Sequence, residues 1–260
     1  MPELGIVLVL LAAAGAYAIA VQRQPAKRPE VRPARATAFL TGIVVVALAL
    51  VSPIDGAAHR RLWVHMVQHV LLISVAAPLL AVGRPFALAA WAWPGSLPRV
   101  RLPGRWTVVT AAAMAQVVTL LVWHVPALYD AALAHDPVHG AEHVTLLVTA
   151  VLLWAALDAI EGEQGGLGLV VVFVVSFPPL MLGAAMTFAT TTWYPAYAAG
   201  ADALVDQQLA GVVMWAYGGL AAVAGGIYLF VAWMRDLEQA APGRPAAALR
   251  ADVPLGGPRC

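Results

Sequence analysis

Seven histidines, His59, His65, His69, His124, His135, His139 and His143, are the residues of this sequence best suited to chemistry, and four of them stand in pairs. His65 and His69 are four residues apart, as are His139 and His143, so on a helix each pair shares one face about 6 Å apart. Two facing H-x-x-x-H pairs supply four nitrogens to one metal ion, or three with an open position. The same pairs suit axial ligation of a haem. Beside these roles stands a plainer one, since buried imidazoles also serve as hydrogen-bonding groups inside a helix bundle. His124, two residues before Pro126 at a helix end, fits either reading, and His59 and His135 read as surface residues.

The elements that must position these residues are membrane helices. Of the 260 residues, 62% are hydrophobic and only 11% charged, and the mean hydropathy is +0.80. A soluble domain of this size needs a far more polar surface. Seven apolar stretches of about the spanning length stand out, near 4–21, 37–53, 62–82, 106–124, 139–158, 167–190 and 208–233. The first has Ala16-Tyr17-Ala18 near its end but lacks a basic leader, so it reads as a retained span rather than a signal peptide. The single cysteine, Cys260, gives no disulfide framework and no CxxC. The net charge of +1 gives no signal for nucleic acid, and none is expected as a partner; membrane lipid is.

Orientation follows from arginine and lysine. Arg23, Lys27, Arg28, Arg32 and Arg35 follow the first span, Arg84, Arg99, Arg101 and Arg105 the third, and Arg235, Arg244, Arg250 and Arg259 the seventh. These are 13 of the 15 basic residues, and they mark the cytoplasmic side; only Arg60 and Arg61 fall opposite. Asp158, Glu161 and Glu163 make one cytoplasmic loop acidic, which weighs little in this rule. The expected fold is an all-α integral membrane bundle of about seven transmembrane helices, N-terminus outside and C-terminus cytoplasmic. Residues 1–238 form one transmembrane helical domain, and 239–260, rich in Pro, Ala and Gly, a disordered cytoplasmic tail. Pro78 and Pro178-Pro179 are expected to kink or loosen their helices. Gly218-Gly219 and Gly225-Gly226 are expected to let a neighbouring backbone approach. The stretch 85–96, with Trp91 and Trp93, reads as interfacial.

On this map every histidine lies on or near the extracytoplasmic side. His69 falls roughly 12 Å below Arg61 and His143 about 6 Å below His139, which puts both pairs in the outer third of the bilayer. Imidazoles there face the bundle interior, find partners or bind something. Met186 and Met214 lie at matching depth; a thioether favours Cu(I), although methionine in a helix is commonly core filler. Asp206 reads as the N-cap of the seventh span, or as a partner that orients a ligating histidine, with Gln207 beside it. The string His139-Gly140-Ala141-Glu142-His143 matches the inverted zinc-peptidase pattern H-x-x-E-H, but at a membrane-helix entrance with no substrate cleft. A retinal protein is excluded, because Lys27 is the only lysine.

Four segments in order, HMVQHVLLISVAAPLLAVGRP (65–85), WHVPALYDAALAHDPVHGAEH (123–143), PLMLGAAMTF (179–188) and DQQLAGVVMW (206–215), resemble the polytopic cytochrome c oxidase assembly factor family CtaG. The resemblance covers about residues 37–235. It implies a seven-helix membrane protein needed to mature the haem–copper oxidase, delivering or inserting copper on the extracytoplasmic side. The family's histidine motifs map onto His65, His69, His124, His139 and His143, and its acidic motif onto Asp206 with Gln207.

The resulting expectation is a non-enzymatic assembly factor in the cell membrane that binds copper through His65, His69, His139 and His143, with His124 beside them. Met186 or Met214 would add a soft ligand. Its partners would be oxidase subunits and an extracytoplasmic copper chaperone. Haem and zinc stand as alternative occupants. A copper transporter is the rival function; it needs polar groups through the full depth, where only Ser74, Gln116 and Ser176 are on offer. A scaffold using its histidines only in hydrogen bonds is the reading without a metal.

Overall fold

The structure is a computed structural model that describes residues 2–24, 31–95, 104–160, 165–198 and 201–240. Lys27, Arg28, Arg99, Arg101, Glu161, Glu163 and the tail from 241 onward lie outside the described residues. Among the described residues the chain is all helical, and seven helices are long and apolar enough to cross a membrane. These spans are Glu3–Arg23, Pro33–Val51, Leu62–Ala92, Arg105–Trp123, Asp136–Asp158, Gly165–Thr187 and Ala203–Glu238.

In chain order, α1 (Pro2–Arg23) and α2 (Pro33–Val51) are single spans. The short α3 (Pro53–Ala58) follows a Ser52 cap whose Oγ accepts from Ile54 N–H, with Pro53 opening the first turn. The third span is α4 (Leu62–Val70), a π-helical turn (Leu71–Ala76) and α5 (Ala77–Val82). Pro78 cannot donate to the helix ladder, and the wide turn lies immediately before it. Arg84, in the left-handed region at φ 50°, turns the chain into α6 (Pro85–Ala92), within the stretch read as interfacial. Next come α7 (Arg105–Trp123), α8 (Pro126–Ala134), α9 (Asp136–Asp158) and α10 (Gly165–Thr187), which stays helical through Pro178 and Pro179. The seventh span is α11 (Ala203–Val212), a second π turn (Val213–Tyr217) and α12 (Gly218–Ala240). It starts five residues earlier than hydropathy suggests, because Asp206, Gln207 and Gln208 find partners inside the fold.

One end of the bundle is tied by charge. The Asp158 carboxylate accepts from Arg35 at 2.9 Å, from Arg84 Nε at 2.9 Å and from the Tyr228 hydroxyl at 2.9 Å, while Arg35 also donates to Val82 O at 2.7 Å. Four spans meet there, at the end opposite the histidines.

Close backbone approach occurs, but not where the paired glycines suggested it. Gly218, Gly219 and Gly226 have open space where a Cβ would stand, and Gly225 meets the Trp154 ring. The tight crossing is between spans six and seven, where a Cβ on Gly211 would fall 2.5 Å from Gly183 O and 2.6 Å from Thr187 N. Both contacts are backbone, so neither yields by a rotamer change. Gly211→Ala is therefore expected to cost about 2 kcal/mol, read as a lower melting temperature in detergent.

Candidate metal site

The third and fifth spans bring their histidine pairs together at the end remote from Asp158. The His65, His69, Glu142 and His143 side chains are all buried, and one ligand atom from each lies within 4.8 Å of the others. His65 Nε2 and His69 Nε2 are 3.0 Å apart. Two nitrogens bound to one tetrahedral ion stand about 3.3 Å apart, close to that value. Glu142 faces both, Oε1 at 3.4 Å from His69 Nε2 and Oε2 at 3.7 Å from His65 Nε2.

The hydrogen-bond pattern settles one tautomer. The Tyr197 hydroxyl donates its only proton to Ala58 O at 2.6 Å, so at His65 Nδ1, 3.3 Å away, it accepts. His65 therefore carries its proton on Nδ1, and its Nε2 lone pair accepts from His69 Nε2 at 3.0 Å, so His69 holds a proton on the nitrogen facing the cluster, which a bound ion would displace. A ligating histidine is held in just this way, its far nitrogen fixed by an oxygen. His124 repeats the pattern: Nδ1 donates to Leu120 O at 2.7 Å, and the buried Nε2 has no hydrogen-bond partner. Burial pushes the His124 imidazole below its ordinary pKa, which keeps that lone pair free.

Several other buried atoms are unmatched: His69 Nδ1, His139 Nε2, His143 Nε2 and both carboxylate oxygens of Glu142. A fully buried carboxylate without a hydrogen bond is unfavourable unless a positive charge stands beside it. Three imidazoles and one carboxylate suit Cu(II) or zinc.

Above the cluster, Tyr129 packs on His65 with ring centroids 5.1 Å apart, and Tyr194 lies 4.5 Å from Tyr129. Tyr194 also donates to His124 O at 3.1 Å. Burial raises the pKa of Tyr129, Tyr194 and Tyr197, so all three stay neutral. On the other side His69 and His124 line a cavity of about 470 Å³, whose walls are otherwise mostly apolar and include Met66 and Met214. Phe173, Phe177 and Val223 line it too and are exposed at the surface of the sixth and seventh spans.

Not every expected residue joins the cluster. His139 stands one ring away, its centroid 4.3 Å from His143 and 5.2 Å from His65, and Glu142 takes its place among the four. His124 lies 6.0 Å from His69, centroid to centroid. Met186 and Met214 belong to a hydrophobic cluster with Leu62, Met66, Tyr129 and Leu146. Asp206 does not cap its own helix: Asp202 precedes α11, and the Asp206 carboxylate accepts from Leu62 N at 2.9 Å and Trp63 N at 3.4 Å. It thus caps α4, the helix that carries His65 and His69. Gln207 accepts from Trp193 N and donates to Thr191 O, holding the loop before the seventh span. Sequence reasoning passed over Glu142 as a ligand; the available signal was an ionisable residue inside an apolar span, on the same helix face as His139.

A family described as cytochrome c oxidase caa3 assembly factor matches residues 15–236. No curated protein matches, and no solved structure does.

Proposed function

The chain belongs to the cytochrome c oxidase caa3 assembly factor family, and on that premise we propose that it binds copper at its buried histidine cluster and assists insertion of the ion into the oxidase. The observation that carries this is the convergence of His65, His69, Glu142 and His143, with His143 Nε2 and both Glu142 oxygens left without a hydrogen-bond partner. His139 and His124 extend the set at its two ends. The ion is cargo, held and released by ligand exchange, and no substrate is turned over. Arginine-rich loops at the opposite end argue for an extracytoplasmic site, in reach of a copper chaperone on that side. The Met186 and Met214 thioethers enter the hypothesis only as auxiliary ligands during transfer.

Metal analysis of gently purified protein tests this reading. We expect bound copper, and we expect His65→Ala with His143→Ala to reduce oxidase copper to the level of a strain lacking the protein. Copper-free wild-type protein together with normal oxidase copper in the double variant would end the proposal.

One observation favours a second reading. Ser74, Gln116 and Ser176 line the same cavity as His69 and His124, as a transmembrane route or a membrane haem pocket would require. Copper movement into proteoliposomes, or a Soret band in the purified protein, would support the first or the second of these.

A further inference from the structure

His59 is not an isolated surface residue. It ends α3 with its ring edge-on to that of His139, centroids 5.1 Å apart and planes at 88°. Its Nδ1 donates to Asp55 O at 2.9 Å, which leaves Nε2 with the lone pair. Its platform is fixed at three points: Ser52 caps the helix, Gln68 Nε2 donates to Asp55 Oδ1 at 2.9 Å, and the Tyr197 hydroxyl donates to Ala58 O. Two of those anchors, Gln68 and Tyr197, come from or touch the helix that carries His65 and His69. The His139 ring opposite has a buried Nε2 with no partner.

We infer that His59, with His139 at the outer end of the buried set, forms a capture site that takes a cationic copper ion from water and passes it inward. The inference rests on the copper reading above. From His59 the rings run without a gap. His139 is 4.3 Å from His143 and 5.2 Å from His65, and His65 is 4.5 Å from His69. Exposure falls along the same path. His59 hydrogen-bonds at an exposed position, His139 retains 7% of its accessible surface, and His65 and Glu142 retain none. At each step one metal–nitrogen bond forms before the previous one breaks, and the oxidation state of the ion does not change. The final step puts the cation beside the Glu142 carboxylate, which draws it inward.

The path also explains why His139 lies just outside the tight quartet: it faces both sites. Asp136, in the first turn of α9, and Asp55 on α3 place acidic residues on both elements that carry the pair. Arg60 and Arg61, exposed directly after His59, offset these two charges, so capture rests on the two imidazoles and not on the local field.

The experiment follows loading of the full-length protein in lipid nanodiscs, mixed with cupric ion as its glycine complex. His59→Ala is expected to slow loading about tenfold, equivalent to about 1.4 kcal/mol on the barrier, with the final copper stoichiometry unchanged. His135→Ala, at an exposed histidine outside the path, is expected to load at the wild-type rate. A wild-type rate in His59→Ala overturns the capture site and leaves the copper reading standing. A lower final stoichiometry in His59→Ala overturns it too, because His59 would then hold resident metal. Wild-type protein that takes up no copper overturns the copper reading, and the capture site with it.

Discussion

Metal-free Glu142→Gln protein is expected to melt a few degrees higher than metal-free wild type and to bind copper about 100-fold more weakly, the upper end of what losing even an indirect metal partner costs. The two effects have opposite signs for one reason. The Glu142 side chain is completely buried and neither oxygen has a hydrogen-bond partner, so without a cation the carboxylate lacks compensation. Glutamine keeps the shape and cannot take up the negative charge that burial penalises and a bound cation would offset. In wild-type protein added copper raises the melting temperature, because the ion binds only the folded state; in the variant that rise largely disappears. Thermal melts with and without copper, paired with a competition titration, read both quantities. A variant that melts lower and binds copper normally would make Glu142 an ordinary packing residue and remove it from the site.

At the other end of the bundle, Asp158→Ala is expected to destabilise the protein by about 2–3 kcal/mol while leaving copper affinity unchanged. Removing one member of a buried charge network costs about 3–5 kcal/mol. The Arg35 and Arg84 side chains keep 27% and 31% of their exposure, so solvent offsets part of that loss. The variant leaves two guanidiniums without their shared acceptor and releases the Tyr228 hydroxyl from the seventh span. Melting in detergent measures the first quantity and copper titration the second. A melting temperature within a degree of wild type would reduce the network to surface pairs.

Much of this fold was legible in the sequence, because a membrane span announces itself by length and hydropathy. All seven apolar stretches are helices, and most of their ends lie within a few residues of the expected ones; the third span runs on to Ala92, ten residues past its expected end, where α6 continues it beyond the Arg84 turn, and the seventh extends five residues further at each end. The shift at the start of the seventh span arises where Asp206 and Gln207 are polar yet satisfied within the fold. Asp206 caps a helix 144 residues earlier, a pairing no local pattern could reveal. The glycines failed for a related reason. Adjacent glycines look like a contact surface, but the helices cross at Gly183 and Gly211, one from each span.

For the site, i,i+4 spacing was enough to put His65 with His69 and His139 with His143. It could not say which members converge. Glu142 lies one residue before His143 and reads in the sequence only as part of the H-x-x-E-H string, not as a ligand. Only the packing of the fifth span against the third turns it toward two imidazoles. His59 was set aside because it precedes the span; the fold of α3 then places it against His139.

The π turn in the third span separates two jobs along one helix. Before it, Leu62 and Met66 pack with Tyr129 and Met186 around the histidines; from the turn onward, Leu72, Ala76 and Leu80 pack with Phe39 and Val46 of the second span. The wide turn absorbs one residue, which rotates everything beyond it by about 100° relative to an uninterrupted helix. The upper segment can thus take the phase its ligands need while the lower keeps the phase its neighbours need. A second π turn, which contains Met214, does the same in the seventh span. In engineering terms the chain is modular across its own depth: the chemistry above these turns can be redesigned without re-registering the scaffold that anchors it below.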